Sequence, residues 1–444
     1  MELETVSGQY GGILALWLFE KVLGAFAAMN FSKKIRQKAK TRANGMLHPF
    51  IKHLGSNYSF SALGFSCYML ASAFHWGTSL IFILIIFSIL DLSANKNTEL
   101  TYDSGSLLLS ISFLALYFLS ITLSIDPLLS LTLSSIWPSA AFLYLTLCLF
   151  TSIDKDFQLL SFAFSLFSLI VSSIFLYGYS ENSEVSADVL VSIIDHPLFL
   201  VPNDLVMLAL ISPFSFFIIK NTNTPALRYF SIASCICCVM TLIIFQSRTG
   251  LMSFFICMGV FLLLLNPKFL IKVFSASLAL VISIDYVLDF QLFDKFLTFP
   301  SSRIPLWSAA LDLFIENPIF GNGPHIFAGY YADYINSRTF ADWIIVDTRN
   351  IPWPHNLFLE LLSESGILTT LAFICLSGYT LTKLSIFSAL DEFAQERSCL
   401  ISIFLGFLFA AFFELTLVRI WVLLFVCLLF GLCHSLIKIK NDIS

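Results

Sequence analysis

Long apolar stretches follow one another along this chain from about residue 58 to residue 436, separated by short polar breaks. Each is near the roughly 20 residues that a helix needs to cross the hydrocarbon core of a bilayer. Twelve can be drawn, at 58–74, 78–91, 106–123, 134–151, 157–178, 203–219, 229–245, 251–265, 270–289, 363–383, 400–413 and 416–436. An outer-membrane barrel would instead show short segments of alternating hydrophobicity. The pattern therefore predicts an all-α polytopic membrane protein with about twelve transmembrane helices. One long interval, 291–354, departs from it: polar and aromatic residues dominate, and it predicts a long loop carrying short amphipathic helices. The stretch from Gly11 to Met29 is apolar too, but Glu20 and Lys21 interrupt it. It reads as a helix lying at the interface rather than a thirteenth span. The chain thus divides into an N-terminal segment (1–57), nine spans (58–290), the long loop (291–354), and three spans with a short tail (355–444).

Composition strengthens the membrane reading. The 444 residues are 58% hydrophobic and 12% charged, where a soluble domain carries about 25% charged residues. Charge position sets orientation, because Lys and Arg gather on the cytoplasmic side. The segment from Lys33 to Lys52 carries seven basic residues and should be cytoplasmic. Counting spans from it puts most other basic residues inside and leaves both termini cytoplasmic. Six fall outside: Arg248, Lys295, Arg303, Arg338, Arg349 and Arg419. The long loop falls outside with them. The ten cysteines lie almost all within apolar runs. Cys235, Cys237 and Cys238 cluster without a histidine or carboxylate beside them, so they read as packing residues rather than a metal site. No cleavable signal peptide pattern appears, and nothing points to nucleic acid.

The chemistry-bearing residues concentrate in and around the loop. Arg303-Ile304-Pro305-Leu306-Trp307 predicts a helix start, because proline suits the first helical turn. Trp307, Ala310, Leu311 and Phe314 would share one face, and Asn317-Pro318 would end the helix. Arg303 would then precede a helix N-terminus, where free backbone N–H groups also favour an anion. Gly321-Asn322-Gly323 is a tight turn, and no strand precedes it to make a dinucleotide site. Tyr330, Tyr331, Tyr334, Trp343 and Trp353 could stack on sugar rings, or form an interfacial aromatic belt. Pro352-Trp353-Pro354 gives an extended approach to His355, and Asn356 is a good N-cap. A helix N-terminus disfavours imidazolium, so His355 should be neutral and able to accept a proton. Asn356, Glu360 and Glu364 repeat every four residues, a polar stripe where the next span begins. Gln246-Ser247-Arg248-Thr249-Gly250 makes a short turn between two spans. Its arginine either snorkels or works with Arg303 and His355 on the same side.

Arginine forks match phosphate oxygens, and a neutral histidine can take a proton from an attacking hydroxyl. Together they suggest transfer of a sugar from a lipid diphosphate. No clustered carboxylates in the outer loops offer a metal site, so the arginines would stabilise the leaving diphosphate.

The segments SRTGL (247–251), RIPLWSAALDLFIENPIFGNG (303–323) and HNLFLELLSESGIL (355–368) resemble, in order and spacing, the bacterial O-antigen ligase and polymerase superfamily. VPND (201–204) and SIDPLLSL (124–131) agree more weakly. The resemblance covers about residues 100 to 435. It implies a GT-C-like multispanning glycosyltransferase of the inner membrane, with its active site facing the periplasm. The implied donor is a glycan on undecaprenyl diphosphate, transferred with inversion and without metal or cofactor. Arg248 and Arg303 match the diphosphate-binding arginines and His355 the catalytic histidine. Trp307, Gly321, Gly323, Asn356 and Glu360 fit supporting positions, and Tyr330 and Tyr334 lie in the substrate loop. A polymerase would use the sugar of a new lipid-linked repeat unit as acceptor, often beside a chain-length regulator; a ligase would use the lipid A core. SRTG before an apolar run looks more like the polymerases. The reading from another class is a flippase for lipid-linked glycans, but transporters place their polar residues near the midplane of two related halves.

Overall fold

The computed structural model describes residues 59–73, 81–94, 102–151, 153–182, 185–196, 198–199, 201–266, 291–348, 351–386 and 393–443, with scattered positions between 268 and 286. The expected surface helix at 11–29, the basic segment at 33–52, Arg349 and most of the span at 270–289 lie outside these residues. Among the described residues the chain is helical without strands. The helices are α1 (Phe60–Ser72), α2 (Ile81–Ala94), α3 (Ser104–Thr122), α4 (Pro127–Leu133), α5 (Trp137–Phe150), α6 (Ile153–Glu181), α7 (Ala187–Ile194), α8 (Val206–Asn221), α9 (Pro225–Ile244), α10 (Arg248–Leu265), α11 (Gln291–Glu316), α12 (Phe327–Ser337), α13 (Leu357–Ile386), α14 (Ala394–Phe413) and α15 (Ile420–Ile443).

Among the described residues, eight helices are long and apolar enough to cross a membrane, or nine if α4 and α5, bent by 46° at their junction, make one broken span. Of the twelve spans expected, the one at 270–289 lies mostly outside the described residues, and the described parts of the first two are the 13 residues of α1 and the 14 of α2.

Helix α8 sits at the centre, packed on α6, α9, α10 and α14. It is buried along nearly its whole length. Helix α15 is buried as deeply, against α5. Aromatic rings fill the seams, with Phe164 stacked on Phe214 at 4.6 Å. Lipid tails are as apolar as leucine, so polar contacts also hold such helices together. One chain of them runs from Ser110 through Tyr144 and His434 to Thr380, with links of 2.8, 2.8 and 2.9 Å, and ties four helices together.

Several carboxylates at the ends of apolar runs prove to be caps. Asp91 of α2 accepts the first backbone N–H groups of α1 at 2.7 and 2.6 Å. Asp156 accepts the Ser59 N–H at 2.8 Å. Asp103 caps its own helix and also accepts the Tyr379 hydroxyl at 2.9 Å. A helix end without water must find such partners.

Helix α11 corrects one expectation. It begins at Gln291, so Arg303 and Pro305 lie in its interior and not at an N-terminus. A proline removes one backbone bond and bends a helix, but it need not start one. The helix does end before Asn317-Pro318. Its buried stripe is Leu306, Ala309, Ala310 and Leu313, whereas Leu311 is 45% exposed and Trp307 is half-buried. The period was right and the phase was one residue off. Small residues let α11 approach its neighbours closely, and the large apolar ones are equally at home facing lipid.

Candidate active site

The long loop and α13 interlock through their backbones. Helix α13 is interrupted at Gly366, whose φ of 78° and ψ of 175° are not helical. The interruption frees the carbonyls of Ser363 and Glu364 and the N–H of Ile367. The turn after α11 takes all three. Asn322 and Gly323 donate to Ser363 and Glu364 at 3.2 and 2.8 Å, and Ile367 donates to the Pro318 carbonyl at 2.9 Å. Both Gly321 and Gly366 have positive φ, and a Cβ on either would collide with the backbone of the other segment. Glycine is needed on both sides of so close an approach.

Side chains extend this lock. Asn322, fully buried, donates from Nδ2 to the Leu313 and Ser363 carbonyls at 2.6 and 3.1 Å. Glu364 accepts the His325 and Phe327 N–H groups, one on each oxygen at 2.9 Å, and so caps the start of α12. The SIDPLLSL segment supports the turn from beneath: Ile125 N–H donates to the Asn322 carbonyl at 3.0 Å and the Ser130 hydroxyl to that of Pro324 at 2.7 Å.

The turn from α9 to α10 is built with equal care. Gln246 takes a left-handed φ of 54°. Ser247 N–H donates to Leu242 and Gln246 N–H to Ile243, each at 2.9 Å, which makes a Schellman motif. Arg248 is then the first residue of α10. It lies at a helix N-terminus, where the helix dipole adds to the guanidinium's own attraction for an anion.

Glu414 joins the parts. It ends α14 and is 6% exposed. Its Oε2 accepts Arg303 Nη2 at 2.7 Å, and its Oε1 lies 2.7 Å from His355 Nδ1. Arg248 is near enough for its charge to act on both Arg303 and Glu414. His355 adopts a left-handed φ of 53°, which turns its ring toward Glu414. The next residue, Asn356, caps α13 by accepting the Phe358 and Leu359 N–H groups at 3.0 Å.

Burial raises the pKa of the Glu414 carboxyl. His355, Arg303 and a hydrogen bond from Asn203 outweigh it and hold the group below its ordinary value. Burial lowers that of His355; Glu414 pulls it up and Arg303 pushes it down, and the net shift is downward. At neutral pH the pair is therefore a carboxylate and a neutral imidazole. A carboxylate has no proton to give, so Nδ1 carries the hydrogen. Trp353 Nε1 lies 3.3 Å from the same Nδ1; two N–H groups cannot donate to each other, and the shorter contact with the charged acceptor decides. The lone pair is then on Nε2, in the arrangement of a general base oriented by an acid.

A second acid–arginine pair backs this one. Arg419 donates from Nη2 to Asp204 of the VPND segment at 3.1 Å and lies 4.3 Å over the Trp353 ring. Trp353 in turn sets its face near-perpendicular to His355, with centroids 5.7 Å apart. Glu360 accepts the Leu417 N–H at 3.0 Å and pins the α14–α15 turn that carries Glu414 and Arg419.

Arg248, Arg303 and His355 thus meet, with Glu414 and Arg419 added. Gly321, Gly323, Asn356 and Glu360 hold backbone around them. Tyr334, by contrast, is 7% exposed, with Arg338 4.4 Å over its ring and Phe340 beside it. Tyr330 and Trp307 pack at the edge of the same cluster between α11 and α12. Among the described residues no group of three or more His, Cys, Asp or Glu side chains could hold a metal.

Residues 233–374 match the family model described as O-antigen ligase, a stretch that includes Arg248, Arg303 and His355. No curated protein matches the chain.

Proposed function

We propose that this member of the O-antigen ligase and polymerase superfamily transfers a glycan from a polyprenyl diphosphate carrier, using His355 as general base and Arg248 and Arg303 against the diphosphate. One observation carries the reading: a single buried carboxylate, Glu414, touches both an arginine and a histidine that sequence alone had assigned to opposite ends of the reacting bond.

In this reading the acceptor hydroxyl gives its proton to His355 Nε2 while its oxygen attacks the anomeric carbon. The carbon–oxygen bond to the diphosphate breaks on the far side, inverting that carbon. The diphosphate leaves with the electron pair, and Arg248 and Arg303 stabilise its growing charge. The imidazolium that forms is stabilised by Glu414. Three guanidiniums, those of Arg248, Arg303 and Arg419, stand near the carboxylates of Glu414 and Asp204. The site would face the periplasm of a bacterial inner membrane.

The acceptor is proposed to be the terminal sugar of a lipid-linked repeat unit, on the likeness of SRTG and its following span to the polymerases. The description of the matching family favours the ligase reading, with lipid A core as acceptor. Surface glycolipid from a deletion strain separates them. Loss of a polymerase leaves core bearing one repeat unit; loss of a ligase leaves bare core and polymer on its carrier. His355→Ala, Arg248→Ala and Arg303→Ala should each reproduce the deletion with the protein still in the membrane. Normal polymer from the His355→Ala strain would overturn the assignment of the base.

A further inference from the structure

Away from the site, α8, α9 and α10 enclose a cavity of about 640 Å³, within the size range of ligand sites. Helix α8 packs against both of the others, while α9 and α10 touch each other little below their turn. The slot between them is floored by Phe216 and walled by Ile232, Ile236 and Val239 on one side and Phe254 and Met258 on the other. Lys220 and Arg228 stand at its mouth. Both are exposed, and Arg228 is steadied there by donating from Nη2 to the Thr222 carbonyl at 2.9 Å.

The position of the mouth is informative. Helix α9 climbs from Pro225 to Ile244 and α10 descends from Arg248 to Leu265. Lys220, Arg228 and Leu265 are therefore at the end opposite Arg248. From Arg228 to Val239 the slot runs about 16 Å along α9, close to half the roughly 30 Å hydrocarbon core. It is one leaflet deep, apolar inside and doubly cationic at the rim.

We infer that this slot binds an anionic phospholipid of the leaflet opposite the catalytic cluster, with one acyl chain between α9 and α10 and the phosphate between Lys220 and Arg228. Charge and depth select that occupant. A neutral isoprenoid tail hanging from a diphosphate at Arg248 would gain nothing from two cations at the far end. The inference rests on α8, α9 and α10 being spans, and not on the chemistry proposed for His355, so the two can fail separately.

The test uses the full-length protein in nanodiscs holding phosphatidylglycerol and phosphatidylethanolamine, followed by mild release and native mass spectrometry. Wild type should retain one phosphatidylglycerol per chain in preference to phosphatidylethanolamine. Lys220→Gln/Arg228→Gln should reduce that preference about thirtyfold, taking about 1 kcal/mol for each cation. Both side chains are exposed, so this variant keeps its fold. Ile236→Trp, which fills the slot, should abolish retention. The inference is overturned if wild type shows no charge preference, if the retained species is an isoprenoid, if nothing is retained, or if the double variant behaves as wild type.

Discussion

Replacing Glu414 by glutamine tests the heart of the proposed site. The change keeps shape and size but removes one charge. The two Glu414 oxygens serve different partners, Oε2 for Arg303 and Oε1 for His355, each at 2.7 Å. A glutamine carbonyl would keep Arg303, which can only donate. Its NH₂ group would then face His355 Nδ1. That nitrogen must become an acceptor, and the ring hydrogen moves to Nε2, the atom proposed to take the substrate proton. Carboxylate-to-amide changes behind a catalytic histidine lower the rate by about 10⁴ through the wrong tautomer, and a loss of 10³–10⁴ is expected here. The stability cost should be smaller, about 1.5–3 kcal/mol for weakening a hydrogen bond to a charged group. Initial rates of glycan transfer from a synthetic lipid diphosphate in proteoliposomes would be read beside thermal unfolding. A variant that transfers within about tenfold of wild type would refute the tautomer argument. So would a variant whose loss of rate is matched by loss of folded protein.

Other outcomes follow from the same geometry. Because His355 is shifted downward, the wild-type rate should rise with pH along an acid limb below the ordinary imidazole value of about 6.5 and be flat through neutrality. The sign is that of a base that must be neutral to act; an acid limb above 6.5 in the pH–rate profile would contradict it. Arg419→Gln removes both the Asp204 pair and the contact with Trp353, and should lower kcat by about 10²-fold through misplacement of His355 with little change in KM. Gly366→Ala places a Cβ at positive φ against the loop backbone and should cost at least 1–3 kcal/mol, seen as a lower melting temperature in detergent. Glu364→Gln turns an amide NH₂ toward a backbone N–H and should cost about 1–3 kcal/mol by the same measurement.

The apolar runs foretold most of the helices, because length and hydropathy alone decide whether a segment suits a membrane. Arg248 could be singled out because charge is costly beside lipid, and Arg303 and His355 because each stands where the polar interval predicts a helix start. Glu414 was not singled out, although it too ends an apolar run. Sequence offers no way to tell it from Asp91, Asp103 or Asp156, which turn out to be helix caps. What separates them is the partner each one meets across the fold, and Arg303 lies 111 positions from Glu414. The start of α11 was misplaced because Pro305 reads locally as a first-turn residue. The interruption at Gly366 was invisible for a related reason: an ESG tripeptide within a helical pattern acquires its meaning from the GNG turn pressed against it.

The order in which a ribosome makes these pieces adds a consequence. The GNG turn is synthesised before Ser363 and Glu364, so its N–H groups must wait for α13 before they can be satisfied. Arg303 and His355 must wait longer, since their shared acid arrives at the end of α14 and its anchors Leu417 and Arg419 later still. A nascent chain holding both arginines and the histidine therefore lacks the acid that, in the proposed reading, orients His355. The proposed site is completed only once the turn between α14 and α15 is made, which would keep a partly inserted chain from acting on the lipid-linked donor proposed for it.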